Sequence, residues 1–146
     1  MNIRPLTKED YPFIDAYVKQ RPWERTNKKW TGLIDPTLIE TTLKNMNPNI
    51  HAVVVEDTYL LLFAVISPWF TNKTLIDEKL VFRFLNGPGK FSDVVKALEH
   101  IAKSTNASGI MVGTALAPND KVMVRMFQRA GFELSQSSLF KDILKT

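Results

Sequence analysis

Residues 80–92, Leu-Val-Phe-Arg-Phe-Leu-Asn-Gly-Pro-Gly-Lys-Phe-Ser, carry the densest chemistry of the chain: a strand-like run, a turn with two glycines, then a helical pattern. A helix N-terminus presents unpaired N–H groups and the positive end of the macrodipole, so this order of elements suits a phosphate or diphosphate. Gly87 and Gly89 let the backbone approach such an anion, and Lys90 adds a formal charge. Two glycines also join many strands to helices with no ligand, and the spacing matches neither a Walker A loop nor a dinucleotide fingerprint. Arg83, between Phe82 and Phe84, is placed either toward the anion or in an ion pair across the sheet.

Other reactive side chains are scattered. Glu78 and Glu56 stand at strand ends, where an acid is more often simply solvated. His51, opening a strand, and His100, on a helix, are isolated, so no metal site is expected. Nothing has the pattern of a Ser-His-Asp set or a carboxylate pair. Cysteine is absent, which excludes thiol catalysis, Cys-ligated zinc and disulfides, and suits a reducing compartment. The net charge of +4 is concentrated in residues 19–29, where Lys19, Arg21, Arg25, Lys28 and Lys29 face the single acid Glu24. With Pro22, Trp23 and Trp30 this stretch reads as a basic, aromatic loop, either a solvated connection with its tryptophans packed inward or a surface for an anionic or nucleic-acid partner.

The elements that must position these residues follow from periodicity. A strand is expected at 2–4, then a helix to about residue 19 with Thr7 as N-cap and Tyr11, Ile14, Tyr17 and Val18 on its apolar face. Asp35-Pro36 caps a second helix with Leu38, Ile39, Leu43 and Met46 on one stripe, ended by Asn47-Pro48. Three β-rich runs follow at 51–56, 59–67 and 75–84, the first two joined tightly through Asp57-Thr58. Val94, Val95, Leu98, Ile101 and Ala102 then mark an amphipathic helix, 109–114 a short strand, and Val122, Met123, Met126 and Phe127 a last helix capped by Asn119 or Asp120 and stopped at Gly131. Residues 132–144 close the chain as extended structure interrupted near 135–138. A strand–helix–strand crossover after antiparallel hairpins demands one parallel pairing, hence an α/β layer structure with a mixed, mostly antiparallel sheet flanked by helices. With 146 residues, 45% of them hydrophobic, one domain spanning 1–146 is expected. The apolar run at 59–66 is far short of the roughly 20 residues of a membrane helix, so the expectation is a cytoplasmic protein without a membrane partner.

This order of elements resembles the GCN5-related N-acetyltransferase (GNAT) family over essentially the whole chain. The resemblance runs from Ile3-Arg4-Pro5-Leu6 and Asp10, through the glycine loop, to Met126-Phe127-Gln128-Arg129-Ala130-Gly131-Phe132, similar to the family's fourth helix ending in Gly-Phe. The family's loop is typically Arg-Gly-x-Gly-x-Gly or Ala; Asn86 stands at its Arg, Gly87 and Gly89 at the first glycines and Phe91 at the last small residue. Two departures stand out: Phe91 puts a ring where the family keeps a small residue, and Phe127 stands where many members have a tyrosine that protonates the departing thiolate. General acid catalysis is typically worth about 10²–10⁴-fold, so its loss slows a reaction without forbidding it; water, Ser137 or Ser138 are the substitutes the sequence offers.

The resemblance implies an acetyl-CoA-dependent N-acetyltransferase in which a primary amine attacks the thioester directly, with no acyl-cysteine step. It implies binding of acetyl-CoA by Phe82, Asn86, Gly87, Pro88, Gly89, Lys90, Phe91, Ser92, Asn119 and Phe127, Asp120 fitting the register of Asn119 slightly better. It also implies a backbone N–H of Phe82 or a neighbour polarising the carbonyl, Glu78 or less well Glu56 as base, and no metal. The basic stretch at 19–29 would form the acceptor side, favouring an anionic or protein-borne amine. Many relatives are dimers, which makes a homodimer the family's expectation. The alternative is a catalytically lapsed member of the fold that binds, scaffolds or accompanies nucleic acid.

Overall fold

A computed structural model describes residues 1–26, 28–45, 48–113, 120–135 and 139–143. Strands β1 (Ile3–Pro5), β2 (His51–Val55), β3 (Tyr59–Ile66), β4 (Leu75–Arg83) and β5 (Gly109–Met111) lie side by side in chain order, antiparallel except for the parallel β4–β5 pair. Helices α1 (Tyr11–Gln20), α2 (Pro36–Asn45), α3 (Phe91–Ser104) and α4 (Asp120–Arg129) complete the frame.

Local chemistry sets the helix ends. Asp35 Oδ1 accepts the N–H groups of Thr37 and Leu38, at 2.9 and 3.3 Å, and starts α2 as expected. The first helix begins later than its sequence suggests: the Asp10 carboxylate accepts the Thr7 N–H at 2.9 Å, and a 3₁₀ turn (Lys8–Asp10) precedes α1. Gly131 ends α4 with φ of +96°, and the Phe132 N–H donates to the Phe127 carbonyl, closing a glycine C-cap.

Two apolar layers sandwich the sheet. On one face Val55, Leu61, Phe63 and Ile76 pack against α3 through Val94, Leu98 and Ile101, with Phe127 of α4. On the other, Ala52, Leu60, Leu62 and Leu80 meet Ile14 and Tyr17 of α1, Leu43 of α2 and the fully buried Trp23. Leu38 and Val122, expected on apolar faces, stand 63% and 44% exposed, because Ile39 and Leu43 on α2 and Met123 and Phe127 on α4 suffice to meet the core.

The β3–β4 ladder contains a bulge midway along its length. Leu62 pairs with Leu80 but Phe63 with Glu78, leaving Lys79 as the extra residue. Side-chain parity therefore switches: Ile76 and Glu78 share the α3 face with Phe63, whereas Leu80 and Phe82 turn to the α1 face.

The β2–β3 connection differs from the expected Asp57-Thr58 link. Glu56 and Asp57, with φ of 50° and 48°, form the centre of a tight turn closed by the Thr58 N–H on the Val55 carbonyl at 3.0 Å. Left-handed backbone costs a non-glycine residue roughly 1 kcal/mol. Neighbours from the first strand offset it: the Asn2 N–H donates to Glu56 Oε1 at 2.7 Å, and Arg4 Nε to Asp57 Oδ1 at 2.9 Å. Arg4 also pairs with Asp10 through both terminal nitrogens, at 2.9 and 3.0 Å. That hydrogen bonding holds the Asp10 carboxyl below its ordinary value of 3.8. The ion pair therefore stabilises the fold above about pH 4, and the contribution is lost as pH falls through the lowered value. Asp10→Asn should cost about 1–2 kcal/mol in urea unfolding at pH 7. The gap to wild type should close on acidification; a pH-independent gap would contradict the assignment.

The closing strand is a correction. Among the described residues after α4, none lies in a sheet; Phe132 packs on Phe127, but Leu134 and Leu139 stand 76% and 100% exposed and so lack the packing that holds a strand in register. Among the described residues no helix is long and apolar enough to cross a membrane.

Candidate functional site

The parallel β4–β5 ladder consists of Leu75 with Gly109, Ile76 with Ile110 and Asp77 with Met111, and there it stops. Beyond it a slot of about 10 Å³ is lined by Glu78, Lys79, Leu80 and Val81 of β4, by Gly113, and by Met123 and Phe127 of α4. That is room for about one water. Glu78 is 6% exposed, and its Oε2 accepts the Gly113 N–H at 3.0 Å across the gap. Burial pushes its carboxyl up to about 7; the Gly113 hydrogen bond only partly opposes this, Asp77 adds to it and Lys79 opposes it. Glu78 is thus a buried group poised near neutrality and not a solvated strand-end acid.

Backbone donors facing the slot follow from the ladder. The Phe84 N–H donates to the Thr58 carbonyl at 3.1 Å, on the β3 side. Alternation along the strand turns the N–H groups of Phe82 and Leu80 the same way, and those of Val81 and Arg83 away from β3, toward the slot. The Phe82 side chain lies on the opposite face, stacked on Tyr17 with ring centroids 3.8 Å apart.

The glycine loop leans on the β2–β3 turn. A Cβ at Gly87 would lie 2.3 Å from the Asp57 carbonyl oxygen and 2.5 Å from Thr58 Oγ1, and one at Gly89 2.8 Å from the same hydroxyl. The buried Gly89 N–H donates to Thr58 Oγ1 at 2.7 Å, and that hydroxyl donates onward to the Glu56 carbonyl at 2.8 Å. At the start of α3 the Lys90 N–H donates to Asp93 Oδ2 at 2.8 Å. Arg83 neither ion-pairs across the sheet nor stands free; its Nη2 donates to the Gly87 carbonyl at 2.9 Å, with the guanidinium 5.9 Å from the Tyr59 ring. The glycines are thus required by the approach of two protein backbones, whatever else the loop binds. Asn86, Pro88, Lys90 and Ser92 are exposed around it.

The two aromatic departures touch. The Phe91 ring meets Phe127 edge-on at 5.0 Å, and Phe127, 2% exposed, meets Phe132 at 5.1 Å. Phe127 and Gly113 also border a second cavity of about 850 Å³, lined by Ile110, Met111 and Val112, by Val124 and Gln128 of α4, by residues 132–135 with Leu139 and Phe140, and by Lys28, Lys29 and Trp30. Part of the basic stretch is therefore at the rim of a cavity that adjoins the Glu78 slot. Trp23, by contrast, is wholly core, and Arg21 pairs with Glu24 at 2.7 Å.

Glu56 is held in the turn by Asn2, at the far end of β4 from Glu78, and serves structure there. His51 is exposed beside Phe63, and His100 is exposed on α3. Among the described residues no group of three metal-ligating side chains forms. Asn119, Ser137 and Ser138 lie outside the described residues; Asp120 opens α4. Thr58 and Gly113 escaped the sequence reading, since each is placed by a contact distant in the chain, whereas Val81 was covered only as a neighbour of Phe82. Asp93 was legible, three residues after Lys90 at a helix start.

The fold is that of the GNAT acetyltransferases. The chain is similar over 99% of its length to 97% of a predicted acetyltransferase with acetyl-CoA from Clostridium acetobutylicum, at 16% identity and a TM-score of 0.61. Over 98% it matches all of a ribosomal-protein-alanine N-acetyltransferase from Brucella melitensis, at 12% identity and a TM-score of 0.66. A transcriptional regulator from Bacillus halodurans is similar over 97% of this chain and 99% of its own, at 16% identity and a TM-score of 0.63. No protein-family model and no curated protein matches the sequence. At these identities the likeness establishes the fold, and the reaction has to be argued from the site.

Proposed function

We propose that this chain is an N-acetyltransferase that moves an acetyl group from acetyl-CoA to a primary amine by direct attack. The observation that carries the proposal is Glu78: a buried carboxylate in the gap where the β4–β5 ladder ends, with a carboxyl raised to about 7. Such a group takes a proton from an ammonium at neutral pH and leaves the amine free to attack. The nitrogen lone pair adds to the thioester carbonyl, whose oxygen takes the Val81 N–H, the neighbour of Phe82 that faces the slot. The nitrogen then gives its second excess proton to solvent, the C–S bond breaks, and the thiolate takes a proton from solvent, Phe127 having none to give. Acceptors enter from the larger cavity, which shares Gly113 and Phe127 with the slot.

Lys28 and Lys29 at that rim favour an acidic or phosphate-bearing amine. Acidic amines should be acetylated faster than polyamines at equal concentration in a thiol-release assay; the reverse order would remove this acceptor assignment. Calorimetric titration with acetyl-CoA tests the enzyme itself. Neither heat nor thermal stabilisation at millimolar ligand would overturn it in favour of the second reading, a binding or scaffolding protein. That reading draws on the slot's small volume and the Phe91–Phe127 contact. A nucleic-acid role within it requires binding that weakens steeply with salt and fails when Lys28 and Lys29 are neutralised.

A further inference from the structure

We propose that the β3–β4 connection is an anchor on an anionic phospholipid surface: Trp69 and Phe70 enter the head-group layer while Lys73 and Lys103 lie against its negative charge. Trp69 is 95% and Phe70 67% exposed; their rings meet each other edge-on at 5.7 Å and belong to neither apolar layer of the core. They are held out by a closed turn, in which the Thr71 N–H donates to the Pro68 carbonyl at 3.1 Å and the Lys73 N–H to Thr71 Oγ1 at 3.1 Å. The base of the connection is fixed as well, since the Ser108 N–H donates to the Thr74 carbonyl at 2.7 Å where β5 pairs with β4. Single exposed apolar side chains are ordinary, but two adjacent aromatic rings on a fixed protrusion leave water only by meeting something else.

The charges around the rings select the partner. The Ser108–Thr74 hydrogen bond joins the β3–β4 and α3–β5 connections, and residues 66–76 and 102–109 carry two exposed lysines, Lys73 and Lys103, and no acid. The next acid on β4, Asp77, is paired with Lys79 at 2.7 Å, and Glu99 stands a full turn back from Lys103 on α3. A bilayer surface with anionic head groups meets these features together: its interface accepts the rings, the indole N–H reaching polar head groups, and its charge attracts the lysines. Rings at 89° to each other offer no common face for stacked bases, which disfavours single-stranded nucleic acid. A second copy docked through the same tip would bring like charges together. The contact is with a surface and needs no spanning helix.

The test is sedimentation of the full chain with vesicles of phosphatidylcholine, alone or with about 30% phosphatidylserine, at low and physiological salt. Binding at sub-millimolar lipid is expected for the anionic vesicles, weaker as salt rises, with little for phosphatidylcholine alone. Trp69→Ser with Phe70→Ser should weaken it by about tenfold or more, with thermal melting unchanged because the rings lie outside both core layers. Lys73→Gln and Lys103→Gln should each weaken it about fivefold. Brominated lipid should quench the wild-type tryptophan emission and leave that of the ring variant unchanged. No sedimentation at millimolar anionic lipid, equal binding to uncharged vesicles, or binding that survives loss of both rings within about threefold would overturn the proposal. So would a single-stranded oligonucleotide or a second copy of the chain taking up the same tip in place of the vesicles.

Discussion

Glu78→Gln is expected to lower kcat/KM for acetyl transfer by about 10²–10³-fold at pH 8, the range general base catalysis commands. The ratio of wild-type to variant kcat/KM should climb through about pH 7, because only the ionised carboxylate accepts a proton and burial holds its midpoint there. Stability should move the opposite way. The folded-state value lies above the ordinary 4.5, so the protonated form is favoured on folding; full stability holds below about pH 4.5 and is lost as pH rises through 7. The ionised, buried carboxylate then costs about 3 kcal/mol, a cost the neutral glutamine avoids while still accepting the Gly113 N–H. Urea unfolding of the two proteins should coincide near pH 4.5 and separate by pH 8 with the variant the more stable. A variant equally active, or no more stable at pH 8, would remove Glu78 from the role proposed for it.

Gly87→Ala should destabilise the protein by about 3 kcal/mol with no acyl donor present. The added methyl would sit 2.3 Å from the Asp57 carbonyl oxygen, which belongs to backbone and cannot swing aside. The turn that carries this oxygen is itself anchored by Asn2 and Arg4. Gly113→Ala is the matched control, since no atom of the described residues lies within 4 Å of its Cβ position. Thermal melts should show a loss on the order of 10 °C for the first and little for the second. Equal melting temperatures would mean that the loop glycine answers to a ligand and not to the hairpin beneath it.

Much of the frame was legible because it rests on local rules. Asp35-Pro36 starts a helix wherever it occurs, Gly131 stops one, and the alternation in 51–55 and 59–66 marks strands whatever they pair with. The closing strand was misread at the described residues 132–135 and 139–143 for the complementary reason: extended, part-apolar residues suit a strand, but a strand exists only beside a ladder. The surroundings of the candidate base were not legible. Position in the chain made Glu78 a strand-end acid, whereas the end of the β4–β5 ladder and the Gly113 N–H made it a buried one. The glycine loop shows the same division. Its spacing declared a strand–turn–helix; that the Gly89 amide meets Thr58, 31 residues away, and the Lys90 amide meets Asp93 was decided in space.

The sequence by itself determined the order and kind of nearly every element, the absence of cysteine chemistry and the likeness to a single fold family, because periodicity, capping and composition act within a few residues. Tertiary structure alone decided what the chemical groups experience. Burial raises Glu78, ladder parity sends the Val81 N–H rather than that of Phe82 toward the slot, and an aromatic contact joins Phe91 to Phe127. Each is a desolvation or a contact between residues distant in the chain, and neither has a signature in the spacing of the residues that take part.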